Sequence, residues 1–261
     1  MSLGISWDFN SPMDISIPMR HGIQNPRAFS IDYPVFEPFR AGTFVGDVSC
    51  GSSCNVIGMR INPHGNGTHT ECVGHLGYDD QGKAGHGPDS CLKVNKAMTK
   101  FWFPVQVVTV NPLQKDVLHA QRWITRKLLE DVVRTSHDGQ VEGLVVRTLP
   151  NDDLKMAMDH SDTCPVAFEP EAMDFLASLG ILHLLTDLPS VDPEHDQGSL
   201  LAHKAFWSVD SGVRTSATIT ELIYVPSSIA DGMYILNLML PNIELDAVPS
   251  RPILYSRQAQ D

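Results

Sequence analysis

Within twelve residues, from His64 to His75, the chain reads H-G-N-G-T-H-T-E-C-V-G-H and gathers three histidines and a carboxylate. Imidazole nitrogen and carboxylate oxygen suit zinc, manganese or iron. Ligands close in sequence let one loop fill several coordination positions with little chain entropy to lose. His64, His69, Glu71 and His75 are the candidates. Gly65 and Gly67 open backbone conformations closed to other residues, so several side chains can converge on one point. A helix is not expected here. In an extended strand His69, Glu71 and His75 have the same parity and project from one face. A single histidine in such a loop reads most simply as a polar surface residue, whereas this cluster favours a site. Cys72 is a ligand or nucleophile by position alone, but alternation turns it away from His69 and Glu71.

One loop rarely completes a catalytic metal site, so further ligands are expected downstream. The segment Asp187 to His203 follows an expected buried strand, and sites form at the C-terminal ends of such strands. Asp187, Asp192, Glu194, His195 and Asp196 read as solvated loop charges. His203 stands in an apolar setting and, if buried, must find partners. Glu221 is a single carboxylate within ATITELIYV, where burial without a cation is costly. Each is either a ligand or a satisfied core residue. His21, His86, His119, His137, His160, His183 and His195 have no comparable support. Phe101, Trp102, Phe103, Phe206 and Trp207 are candidates for an aromatic pocket, although aromatics in apolar runs ordinarily pack in a core.

The elements that must position these residues follow from periodicity. Val56 to Ile61 reads as a strand leading into the cluster, in an N-terminal third rich in Gly, Pro and Ser. Val105 to Val110 is a buried strand. Thr125 caps a helix running to about Thr135, with Leu128, Leu129, Val132 and Val133 along one face. Leu144 to Arg147 is another buried strand. A helix begins at Pro170, aligns Ala172, Phe175, Leu176 and Leu179, and ends at Gly180. Ile181 to Leu185 follows as a strand, and the tail returns to strands around Ala217 to Tyr224, Tyr234 to Leu240 and Pro252 to Tyr255. Strands alternating with helices imply an α/β domain. The expected architecture is a single domain over residues 1–261, with a β-rich outer layer around an α/β core.

Composition sets the outer bounds. Of 261 residues, 42% are hydrophobic and 19% charged, a globular balance. A net charge of -12 excludes partners that need basic patches, nucleic acid and anionic membrane surfaces, and leaves a small-molecule substrate. No apolar run approaches the roughly 20 residues that span a bilayer, and the N-terminus lacks the pattern of a signal peptide. Five cysteines, an odd number without paired CxxC spacing, point to a reducing, cytoplasmic setting. Cys50 and Cys54, four apart without a second pair, read as ordinary thiols.

The pattern resembles the cyclase family of metal-dependent hydrolases, which includes kynurenine formamidase and isatin hydrolase. The family signature is H-x-G-T-H-x-D-x-P-x-H. Gly67, Thr68, His69, Glu71 and His75 match it in register, with Glu71 for the signature Asp and Val73 for its Pro. MDISIPMRHG, DYP at Asp32 to Pro34, GLVVRT at Gly143 to Thr148, EPEAMDFLASLGI and DLPSVD extend the likeness, in family order, over most of the chain. The resemblance implies a swivelling β/β/α fold and hydrolysis of an amide, formamide or lactam C–N bond, arylformamidase-like, with one or two zinc or manganese ions. It implies His64, His69, Glu71, His203 and Glu221 as metal ligands, Glu71 able to bridge two ions, and His75 as general acid/base. It further implies a homodimer or homotetramer. Two departures stand out. Gly65 occupies the place of the first signature histidine, with His64 one residue earlier, and Glu71 lengthens the carboxylate arm. The alternatives are a non-catalytic metal or small-molecule binder on the same scaffold and an enzyme using Cys72 as nucleophile.

Overall fold

Apolar, β-branched runs at the centre of the chain form the middle of one large sheet, seen in a computed structural model that describes residues 6–115, 120–134, 141–163 and 165–258. In chain order its strands are β1 (Met13–Asp14), β2 (His69–Cys72), β3 (Trp102–Val110), β4 (Gly143–Thr148), β5 (His183–Thr186), β6 (Thr218–Glu221), β7 (Gly232–Met239), β8 (Ala247–Pro249) and β9 (Arg251–Tyr255). Their spatial order is β1-β9-β7-β3-β4-β5-β6-β2-β8. The four central strands, β3 to β6, are parallel, and the pairings on either flank are antiparallel. Parallel neighbours require crossovers and bury both faces, which is why the central strands are buried at nearly every position rather than at alternate ones. In β4 all six residues are buried, with Leu144 and Val146 in one core and Val145 in the other.

Among the described residues five short α-helices accompany the sheet: α1 (Pro63–Asn66), α2 (Val94–Ala97), α3 (Arg126–Val132), α4 (Pro170–Ser178) and α5 (Leu201–Phe206). Leu129 of α3, Met173 and Leu176 of α4, and Phe206 of α5 join the first core. The opposite core gathers Val105, Val107, Leu236, Leu254 and Ile15. Helix α4 starts at the expected proline, and Gly180 adopts φ 77° beyond its end, a left-handed conformation that costs glycine nothing. In α3 Thr125 Oγ1 accepts from Leu128 N at 3.2 Å as expected, but the helix ends at Val132. Thr135, its expected end, lies outside the described residues, as do Cys164, His119 and His137.

The β-rich outer layer consists of small sheets. Val35–Pro38 pairs with Ile57–Arg60, close to the strand expected over Val56 to Ile61, and Arg40–Ala41 pairs with Phe44–Val45. A three-stranded sheet joins Leu113–Gln114, Arg122–Ile124 and Ala167–Phe168. The fold is thus mixed α/β. Strands β1 and β8 are too short to leave a periodic signal. No described helix is long and apolar enough to cross a membrane.

Candidate metal centre

The His64 to His75 segment does not run as one strand. Asn62 caps α1, its Oδ1 accepting from His64 N at 3.1 Å, and Pro63 takes the first helical turn, where its missing N–H costs nothing. The expectation of no helix is corrected here: a single helical turn carries His64. That turn also accounts for the displaced histidine. Gly65 is buried, and a Cβ on it would stand 2.7 Å from Ile31 Cδ1, so a side chain at the signature position would run into the Ile31 side chain. His64 instead reaches the cluster, its Nδ1 3.4 Å from Glu71 Oε2.

Strand β2 supplies His69 and Glu71, both fully buried. Pairing with β6 sets Glu221 opposite His69, and pairing with β8 sets Ala247 opposite Glu71. His69 Nδ1 contacts Gly67 O at 3.0 Å and so acts as donor, which turns the Nε2 lone pair inward. Nε2 lies 3.3 Å from Glu221 Oε2 without a hydrogen bond. Glu71 Oε1 accepts from His203 Nε2 at 3.0 Å, while its Oε2 is buried and unpartnered. Burial favours the neutral form of Glu71, but His75, His203 and His64 outweigh it and bring its pKa down to about 2.

Past Cys72 the strand gives way to a 3-10 turn, Val73–Leu76, so His75 reaches the cluster through a turn and not by strand parity. Gly74 makes that turn possible: a Cβ there would stand 1.9 Å from Leu92 O. His75 Nδ1 donates to Asp246 Oδ2 at 3.2 Å and lies 3.9 Å from Glu71 Oε2. Burial depresses the His75 pKa, yet Glu71 and Asp246 hold it above the ordinary histidine value. Cys72 points away, as alternation predicts: its Sγ donates to Leu92 O at 3.4 Å and burial pushes the thiol up to about 12. That setting contradicts a nucleophilic Cys72.

His203 enters from α5. Asp192 accepts from Ala202 N at 2.7 Å, from His203 N at 3.1 Å and from His203 Nδ1 at 2.6 Å, fixing both the helix start and the ring. His203 Nε2 thereby faces Glu71, with Glu221 Oε1 3.8 Å away. Glu221 Oε1 also accepts from Val191 N at 2.9 Å. Two expected loop charges are therefore structural: Asp192 is buried on His203, and Asp187 is buried on Lys155 and Thr148. The sequence reading missed Asp246, an acid immediately ahead of a three-residue strand. Cys50 and Cys54 are exposed free thiols, and His195 pairs with Asp162 on the surface.

Five of the six residues expected at the site, His64, Glu71, His75, His203 and Glu221, thus line a cleft of about 400 Å³ together with Phe29, Ile31, Pro193 and Leu200, and the sixth, His69, is fully buried with its Nε2 3.3 Å from Glu221 Oε2. The five candidate pocket aromatics are not in this wall: Phe103, Phe206 and Trp207 are core residues, and Trp102 is exposed, edge-on to Phe9 and tilted against Tyr255. The donor set fits a divalent cation. Ligand atoms of His64, His69 and Glu71, and of Glu71, His75 and His203, each lie within 4.8 Å of one another. His69 Nε2 and Glu71 Oε2 are buried polar atoms with no hydrogen-bond partner, a costly arrangement that a bound cation relieves.

A family model described as putative cyclase matches residues 13–193. Among solved structures the fold is similar to a predicted metal-dependent hydrolase from Bacillus stearothermophilus, with 16% identity, a TM-score of 0.60, and 94% of this chain and 98% of that chain covered. It is similar to an isatin hydrolase bound to the product analogue thioisatinate, with 14% identity, a TM-score of 0.63, and coverage of 95% and 94%. Isatin hydrolase A from Labrenzia aggregata, bound to benzyl benzoate, gives 15% identity, a TM-score of 0.60, and coverage of 95% and 94%. No curated protein matches the chain. At these identities the structural likeness is one of fold.

Proposed function

This chain belongs to the putative cyclase family, and from that premise we propose that it is a metal-dependent hydrolase cleaving the amide, formamide or lactam C–N bond of a small substrate. The observation that carries the reading is the pair of orphaned, buried ligand atoms, His69 Nε2 and Glu71 Oε2, the second of them on a residue that lines an open cleft. The fold neighbours that are isatin hydrolases, acting on a cyclic amide, support the substrate class.

In this reading His64, His69 and Glu71 hold one divalent ion, zinc or manganese, and Glu71, His203 and Glu221 hold a second. When bound, the ion supplies Lewis-acid polarisation of a carbonyl and lowers the pKa of water. His75 stands at the rim of the cluster, with Nδ1 donating to Asp246 and the other ring nitrogen left for proton transfer. It takes a proton from the attacking water and returns it to the departing nitrogen. Asp192 holds His203 by hydrogen bonds to ring and backbone, so that ligand keeps its direction as substrate enters. The apolar wall of Phe29, Ile31, Pro193 and Leu200 suits an aromatic or alicyclic ring and displaces water from the reacting bond.

The test is metal content by elemental mass spectrometry after incubation with zinc or manganese, for the wild type and for His69→Ala, with turnover of a panel of formamides and lactams. Bound metal that is lost in His69→Ala, together with turnover, is expected. A wild type that binds no metal sinks the mechanism, and one that binds metal but turns over nothing leaves the non-catalytic binder.

A further inference from the structure

We propose that Asp246 is a positioning residue that fixes the ring orientation and tautomer of two cluster histidines at once; this rests on the hydrolase reading above. Asp246 Oδ2 lies 3.2 Å from His75 Nδ1 and 3.4 Å from His64 Nε2. The two imidazoles are neighbours, with ring centroids 4.5 Å apart and an interplanar angle of 35°. A carboxylate oxygen has lone pairs enough to accept from both.

The consequence for each ring is specific. With Nδ1–H of His75 donated to Asp246, the Nε2 lone pair is free to take a proton. With Nε2–H of His64 directed at the same oxygen from 3.4 Å, Nδ1 faces Glu71 Oε2 at 3.4 Å as a lone pair and not as an N–H. The opposite tautomer at either ring would put a hydrogen where a lone pair is needed. Among the described residues no lysine or arginine forms an ion pair with Asp246, so its charge is directed at these two rings.

Asp246 is held independently of the rings it serves. Cys72 N donates to Asp246 O at 3.1 Å, and the β8 register sets the next residue, Ala247, opposite Glu71. The main chain thus delivers the Asp246 side chain to the cluster from 171 residues beyond His75. Removing the carboxylate leaves this backbone pairing in place, so an effect of substitution on the rings is separable from an effect on the strand.

The experiment is NMR of the zinc-loaded protein with ¹⁵N-labelled histidine rings, recorded where the imidazoles are neutral, alongside steady-state kinetics at saturating zinc. In the wild type His75 is expected as the Nδ1–H tautomer. In Asp246→Ala it is expected to shift to Nε2–H, with kcat falling about 10- to 100-fold and KM little changed. Asp246→Asn, which keeps the shape and a weaker acceptor, is expected to fall between the two, and it stands in if the alanine variant does not fold. An unchanged His75 tautomer, or an unchanged kcat at saturating zinc, in a folded variant overturns the proposal. A wild type that binds zinc yet turns over no amide fails the hydrolase reading instead, and the tautomer readout still decides the role of Asp246.

Discussion

His75 and His69 sit six residues apart and do different work because their surroundings differ. His69 is fully buried with a lone pair aimed at carboxylates, whereas the His75 side chain is 28% exposed toward the cleft. His75→Ala is therefore expected to keep its metal while turnover drops by about 10²- to 10⁴-fold, as loss of a general acid/base does. A variant that emerges without metal would make His75 a ligand. Away from the site, His183 is buried against Phe103, with ring centroids 4.2 Å apart, and its Nδ1 meets Thr218 Oγ1 at 2.8 Å. Burial, with Lys100 and Arg214 adding to it, lowers its pKa to about 4. The unfolded chain takes up that proton near pH 6.5 and the fold resists it until about 4, so stability is full above the higher value and is lost as pH falls between the two. The loss is on the order of 3 kcal/mol at about 1.4 kcal/mol per unit. Denaturant unfolding across this range should show a slope that His183→Gln reduces. Equal slopes in the two proteins would contradict the assignment.

At the scale of elements, the cluster depends on two tight turns flanking β2. Helix α1 brings His64 back to Glu71 only because Gly65 leaves room for Ile31, and the 3-10 turn brings His75 back only because Gly74 lies against the Leu92 backbone. A Cβ at position 74 would meet a carbonyl oxygen at 1.9 Å, and backbone, unlike a flexible side chain, cannot swing aside. Gly74→Ala is expected to cost about 1–3 kcal/mol in unfolding free energy, the range for overpacking, and to weaken turnover by displacing His75. Chemical denaturation and the panel assay measure both, and a variant of wild-type stability would show that the turn relaxes freely. Element-level reading of the sequence succeeded where burial imposes a period. It found β3, β4, β5 and α4, and the tail strands to within a few residues. It missed α1, α5 and β8, none longer than six residues, because so short a segment takes its conformation from its neighbours.

On the scale of the whole molecule, the hairpins of the N-terminal third expose a run of large apolar side chains: Phe39, Val48, Val56, Ile57 and Met59 are all at least 40% accessible. Ile57 and Met59 lie two apart on one strand and so share a face, and exposed apolar groups on one face mark association surfaces. We propose that this face joins copies of the chain into the homodimer or homotetramer expected from the family resemblance. Light scattering of the wild type should then give a multiple of the chain mass, and Ile57→Asp with Met59→Glu should reduce it without loss of metal. A monomeric wild type would remove the proposal. What the sequence determined by itself was the chemistry of the ligands and the alternation of strand and helix, because residue type and local spacing carry both. The separation of Cys72 from its neighbours was equally local, a matter of strand parity. Only the tertiary structure decided that one helical turn offsets the displaced His64, that Asp192 is no solvated loop charge and Asp246 reaches the cluster, and that of the candidate pocket aromatics Phe103, Phe206 and Trp207 are core while Trp102 is exposed. Each of those outcomes depends on contacts between separate segments, from about ten residues apart for Asp192 and His203 to well over a hundred for the register of β8 on β2, and pairing of that kind leaves no periodic trace in the chain.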